Sequence, residues 1–195
     1  MRLWRVGEVC VRKTLDAYYT PDDVALRCVR SLGVNCVHGT PRTVVEPSVG
    51  GGAFVRAVRT VWPTSCVVGC DIDPNAPGLD ACDLRHTGDW LQYNATIGTS
   101  LGISLVIVGN PPYADAEAHI VHAHELGPVA IGFLLRLGFL ESNARVPFWH
   151  AFPPTAVRVL SKRPSFTGGG TDSTAYAWFE WVKGHRGPAT LWLLP

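Results

Sequence analysis

An α/β fold built on a mostly parallel sheet is what this sequence predicts, and three stretches predict it. Leu105-Val106-Ile107-Val108 is an unbroken apolar run, the pattern of a strand buried on both faces, and Gly109-Asn110-Pro111-Pro112-Tyr113 ends it. Thr43–Pro47 reads as a second short buried strand, and Ser48-Val49-Gly50-Gly51-Gly52 leads from it into a helix running to about Val61. Val67–Pro74 is a third strand, and its first terminal acid, Asp71, stands 19 residues beyond Gly52. Ligands of open α/β sheets bind outside the carboxyl ends of the strands, so all three stretches aim candidate residues at one edge.

The remaining elements follow from local signals. Residues 1–15 are basic with alternating apolar positions, the pattern of a short strand or an irregular arm. A helix is expected from Pro21, which sits at its first position, with Asp22 and Asp23 complementing its dipole. Thr20 before it reads either as an N-cap or as part of a helix start that faces a carboxylate. Residues 75–103, rich in Gly, Asp, Asn and Thr, read as loops around one short element. A helix over 115–126, a strand over Pro128–Leu137 and connecting or short helical structure over Glu141–Phe152 come next. Thr155–Lys162 and Thr174–Lys183 read as a strand pair, and Thr190–Leu194 as an edge strand. Between the paired strands, Gly168-Gly169-Gly170 makes a mobile loop, and Phe166 either folds onto the core or serves a ligand.

Composition bounds the class. With 195 residues, 47% hydrophobic and 17% charged, the chain is long enough for one domain with a substantial core and is not of disordered type. The longest apolar candidate, near Ala130–Leu140, is interrupted by Arg136 and falls short of the ~18 residues of a membrane span. Met1–Arg5, followed by Glu8, Arg12 and Lys13, offers no signal-peptide core, so cytoplasmic residence is the default expectation. Six cysteines without a Cys-x-x-Cys pair read as reduced, mostly buried thiols. His119, His122 and His124 cluster in sequence, but only the first two share a helix face, and no metal is expected. Charge is divided: net +3 over residues 1–43, −6 over 44–129 and +4 over 130–195. An acidic middle with basic flanks fits a small-molecule site bordered by a rim that faces a polyanion.

Asn110-Pro111-Pro112-Tyr113 has its own chemistry. The side-chain oxygen of Asn110 and the carbonyl of Pro111 can both accept hydrogen bonds from one planar NH2 group. Two consecutive prolines fix the turn and remove two donors, and Tyr113 offers a face for stacking. A plain strand-ending turn is the alternative.

This tetrapeptide resembles the catalytic motif of the amino-group methyltransferases that use S-adenosylmethionine, most typically the DNA adenine-N(6) methyltransferases. The likeness extends from residue 16 to about 183, in the order of the family's gamma arrangement. Tyr18-Tyr19-Thr20-Pro21 resembles the segment before the cofactor strand, and Glu46-Pro47-Ser48-Val49-Gly50-Gly51-Gly52-Ala53-Phe54 resembles the cofactor loop. The resemblance implies a class I methyltransferase-like, Rossmann-like doubly wound sheet with a C-terminal antiparallel hairpin, as one catalytic domain over 1–195 without a separate target-recognition domain. It implies that Thr20, Glu46, Ser48, Gly50, Gly52, Asp71, Asp89 and Asn110 hold the cofactor. Asp71 would take the ribose, with Asp73 as competitor, and Asp89 the adenine amine, with Asp80 and Asp83 as rivals. Asn110, Pro111, Pro112 and Tyr113 would carry catalysis, and Tyr113 and Phe166 would stack on an extruded base. Arg158, Lys162, Arg163, Lys183 and Arg186 are the candidates for phosphate contact.

The expected activity is methyl transfer to the adenine amine in DNA, double- or single-stranded, with low sequence specificity. Rival expectations are an RNA adenine methyltransferase, an inactive cofactor- or nucleic-acid-binding subunit, and, lowest, a protein glutamine methyltransferase.

Overall fold

The computed structural model describes residues 19–32, 39–94, 104–166 and 173–195. The basic stretch 1–15 and the glycines 168–170 lie outside these residues. Among the described residues, eight strands form one sheet: β1 (Thr43–Glu46), β2 (Cys66–Asp71), β3 (Leu84–Thr87), β4 (Leu105–Gly109), β5 (Ala130–Arg136), β6 (Ala156–Leu160), β7 (Tyr176–Val182) and β8 (Thr190–Leu194). Their order is β3-β2-β1-β4-β5-β7-β6-β8. The first five are mutually parallel, β7 is antiparallel between β5 and β6, and β8 runs parallel to β6 at the far edge. Helices α1 (Asp22–Ser31), α2 (Ala53–Val61), α3 (Ala116–Glu125) and α4 (Val146–Ala151) cover the two faces.

Side chains of a strand alternate between faces, and that alternation divides the core in two. Val44, Val106, Val108, Leu134, Tyr176 and Trp178 join α1 and α2 on one face. Val45, Ile107, Ile131, Phe133, Phe179 and Trp181 join α3 and α4 on the other. Both faces are therefore dry, which is why the inner strands read as continuous apolar runs. Complete burial of each such side chain contributes about 1.5–3 kcal/mol. Gly132 is required by this packing, since the Trp178 indole fills the space a Cβ there would enter. Phe54 of α2 stacks on that indole, centroids 5.6 Å apart.

Two elements depart from expectation. Residues 75–103, read as loops around one short element, hold three among the described residues: the 3-10 turns Pro77–Ala81 and Trp90–Gln92 and, between them, β3, an exposed edge strand with no apolar run to announce it. Thr20 is not a cap: α1 begins after Pro21, which makes no side-chain cap bond, and the Thr20 hydroxyl is engaged elsewhere. Among the described residues no helix is long and apolar enough to cross a membrane.

The sheet order reverses at β1, whose neighbours are β2 and β4. Connections leave in opposite directions there, opening a crevice at the carboxyl ends of the three strands.

Candidate functional site

A cavity of about 370 Å³ occupies this crevice. It collects Ser48 and Gly50 from the loop after β1, Asp71 and Asp73 from the end of β2, Asp89, and Asn110 through Tyr113 from the end of β4. A smaller recess, sharing Ser48, Gly50 and Asn110 with it, adds Thr20 and Glu46. Four carboxylates, Asp71, Asp73, Asp89 and Asp115, line the cavity, so its wall is acidic. Such a field favours a cationic ligand.

Asn110 is fixed from one side. Its Nδ2 donates to the Thr20 hydroxyl at 3.1 Å, across 90 residues of chain. Its Oδ1 is buried and has no hydrogen-bond partner. A buried acceptor without a donor costs about 1–3 kcal/mol, a cost an incoming N–H would remove. Pro111 and Pro112 carry no N–H that could satisfy it from within the turn.

The glycine loop and the two neighbouring acids form the second wall. Gly50 N–H donates to Asp71 Oδ2 at 2.7 Å, and Asp73 N–H donates to Asp71 Oδ1 at 2.9 Å. Each carboxylate oxygen keeps a further lone pair for a hydroxyl. Asp73 itself accepts from Asn75 N–H, as a turn residue. The Tyr19 ring lies over Gly50 and Gly51, about 3.1–3.3 Å from where their Cβ atoms would stand. Gly52, expected at the cofactor, faces the structure instead: at φ +79° it abuts Gly78, whose Cα lies 2.7 Å from the position of a Cβ. Its role is the close loop–loop contact that positions Gly50.

Glu46 is 3% exposed at the first turn of α2, where Val55 N–H donates to its carboxyl while Oε2 has no partner. Burial, seconded by the nearby Asp71 charge, holds its pKa well above the ordinary carboxylate range. Asp89 caps the turn at Trp90, its Oδ1 accepting from Leu91 N–H at 3.0 Å. Its rivals are committed elsewhere: Asp80 pairs with Arg85, and Asp83 with Arg59 and Val67 N–H.

No family model matches the chain. Over 108 residues, 54% of its length, it is 26% identical to the type II methyltransferase M.CvrRI of Paramecium bursaria Chlorella virus XZ-6E, the match taking in 26% of that protein. It superposes on the methyltransferase subunit of a type I restriction-modification system from Streptococcus thermophilus with TM-score 0.65 and 16% identity, covering 87% of this chain and 45% of that one. It superposes on magnesium protoporphyrin IX methyltransferase from Synechocystis PCC 6803, solved with bound S-adenosylmethionine, with TM-score 0.57 and 12% identity, covering 92% of this chain and 87% of that one. This is the class I S-adenosylmethionine-dependent methyltransferase fold. The chain spans about a quarter of the curated relative's length and under half of the restriction-modification subunit's.

Within this fold, Tyr113 of the cavity wall clusters with two aromatic rings that do not line the cavity. Tyr113 lies 5.8 Å from Tyr176, centroid to centroid, and Phe166 stands edge-on to Tyr176 at 5.0 Å. Phe166 is thus folded against the core, not presented beside Tyr113 in the cavity, because Tyr176 gives it an apolar seat. Sequence reading missed Arg136, whose guanidinium lies 4.7 Å from the Tyr113 ring centroid. Burial raises the Tyr113 pKa, so its hydroxyl stays protonated.

The five phosphate candidates divide by position. β6 runs parallel to β5, which places Lys162 and Arg163, just beyond its carboxyl end, at the cavity's edge of the sheet. Lys183 and Arg186 follow β7, which runs the other way, so they stand at the opposite edge, roughly 20 Å away by strand rise. Arg158 is no surface cation: its Nε donates to Glu180 Oε1 at 2.6 Å, and Glu180 is 1% exposed. Among the described residues, no group of three His, Cys, Asp or Glu side chains is arranged to hold a metal.

Proposed function

We propose that this protein transfers a methyl group from S-adenosylmethionine to the exocyclic amine of adenine in nucleic acid, DNA foremost. The unpaired, buried Oδ1 of Asn110, anchored through its Nδ2 to Thr20 and followed by a donor-free Pro-Pro turn, carries the reading. S-adenosylmethionine, when bound, supplies an electrophilic methyl on a sulfonium. The residues present fit it: Asp71 has lone pairs for the ribose hydroxyls, Glu46 Oε2 lacks a donor that an ammonium would provide, and Asp89 Oδ2 is bonded by none of the described residues. The acidic wall suits a cation.

Asn110 Oδ1 and the Pro111 carbonyl accept the two hydrogens of the target amine. Accepting both raises electron density on the nitrogen and orients its lone pair, so catalysis is positioning and polarisation. Tyr113, steadied by Arg136, stacks on the base. A base in a duplex cannot reach this crevice, so it arrives extruded or single-stranded. Among the described residues, burial pushes the Cys70 thiol up to about 12 and the Cys82 thiol up to about 11, which leaves neither as a ready thiolate.

Incubation of the purified protein with tritiated S-adenosylmethionine and, separately, DNA, RNA and protein tests the reading. Label in DNA supports it. Label confined to RNA supports the same chemistry on the other polymer, and label confined to protein contradicts it.

A further inference from the structure

His119 lines the cavity but has no part in the chemistry above. It stands in the first turn of α3 and is 6% exposed. Its Nδ1 lies 3.0 Å from the Asp115 carbonyl oxygen, which also accepts from the His119 main-chain N–H. A carbonyl only accepts, so Nδ1 carries the hydrogen and Nε2 is left with its lone pair. Burial lowers the pKa of the ring, which favours its neutral form. With Nδ1 so engaged, Nε2 is the ring nitrogen left to accept from a ligand.

Asp89, near enough to act on His119 electrostatically, is the other acceptor on this wall, its Oδ1 taken by Leu91 N–H and its Oδ2 bonded by none of the described residues. Trp90 lies beside them with Pro111 and Pro112, the flat apolar surfaces that suit a planar ring. An aromatic amine donates two hydrogens and accepts none. Two acceptors without a donor suit it, whereas a ring with a carbonyl at the same position would set lone pair against lone pair.

We infer that His119 Nε2 accepts a hydrogen bond from the 6-amine of the cofactor's adenine, sharing that amine with Asp89 and making the pocket select a 6-amino over a 6-oxo purine. The inference rests on the proposed use of S-adenosylmethionine. Calorimetry with S-adenosylhomocysteine and its 6-oxo analogue, S-inosylhomocysteine, tests it on three proteins: wild type, His119→Phe and His119→Gln. Wild type should prefer the amino compound. His119→Phe should bind it about 2- to 10-fold more weakly, the range for one net hydrogen bond, while its affinity for the 6-oxo compound holds or rises. His119→Gln, whose amide oxygen can accept, should recover part of the preference.

An unchanged affinity of His119→Phe for the amino compound overturns the inference. An equal loss for both compounds in both variants also overturns it, as that is the mark of a merely structural residue. Failure of wild type to bind either compound overturns the proposed function itself and this inference with it.

Discussion

Asn110 is held at its nitrogen and open at its oxygen, and that asymmetry makes a change at its anchor informative. Thr20→Val removes the acceptor that anchors Nδ2, leaving the amide free to turn. We expect kcat to fall about 10- to 100-fold, as for other small misplacements of a positioning group, with the folded protein retained by thermal melting. Unchanged kcat would remove Thr20 from the catalytic geometry. The tetrapeptide was legible because its chemistry is local. The Thr20 contact was not, because a partner 90 residues away leaves no sign in either segment.

Glu46 provides a pH signature. Its pKa in the folded protein is raised above the ordinary value of about 4.3, so the folded state holds a proton that the unfolded chain releases. Its contribution to stability is therefore full below that ordinary value and is lost as pH rises toward the folded pKa. Glu46→Gln, neutral at every pH, should melt at a higher temperature than wild type at pH 8, with the gap closing toward pH 4. A gap independent of pH across melts from pH 4 to 9 would contradict this account.

At the scale of elements, the alternation of β7 was plain in the sequence, whereas the partner of Arg158 was not. Ala-Val-Arg-Val-Leu of β6 gives no hint that its cation turns inward, and only strand pairing brings Glu180 beside it. β3 was obscured for the opposite reason, being an exposed edge strand. The Arg158–Glu180 pair makes a prediction of its own. Arg158→Met leaves a buried carboxylate without its counter-charge and should cost about 3–5 kcal/mol in urea denaturation. Arg158→Met combined with Glu180→Leu should recover most of that loss. Equal instability of the single and double variants would show that the pair is not coupled.

At the scale of the whole molecule, the sheet has a working edge and an opposite edge, and the sequence distributes its basic residues between them without revealing which is which. Lys162 and Arg163 stand at the cavity's edge, Lys183 and Arg186 at the other. Replacing the first pair by Glu should weaken DNA binding at low salt and reduce its salt dependence, and replacing the second pair should change either far less. Filter binding across a salt series separates the two, and equal effects would contradict the assigned polarity. Phosphate contacts carry no sequence information, so we also expect relaxed sequence selection from this chain by itself. Single-base sequencing of methylated plasmid reads that out: modification confined to one motif of four or more bases would oppose it.

The central claim is that Asn110 presents an adenine amine to the methyl donor. Mass spectrometry of nucleosides, digested from DNA treated with the protein and S-adenosylmethionine, tests it most directly. The account predicts N(6)-methyladenine with the wild type and none with Asn110→Ala, although Asn110→Ala still binds S-adenosylhomocysteine. Methylcytosine as the product, or N(6)-methyladenine formed equally well by Asn110→Ala, would contradict it.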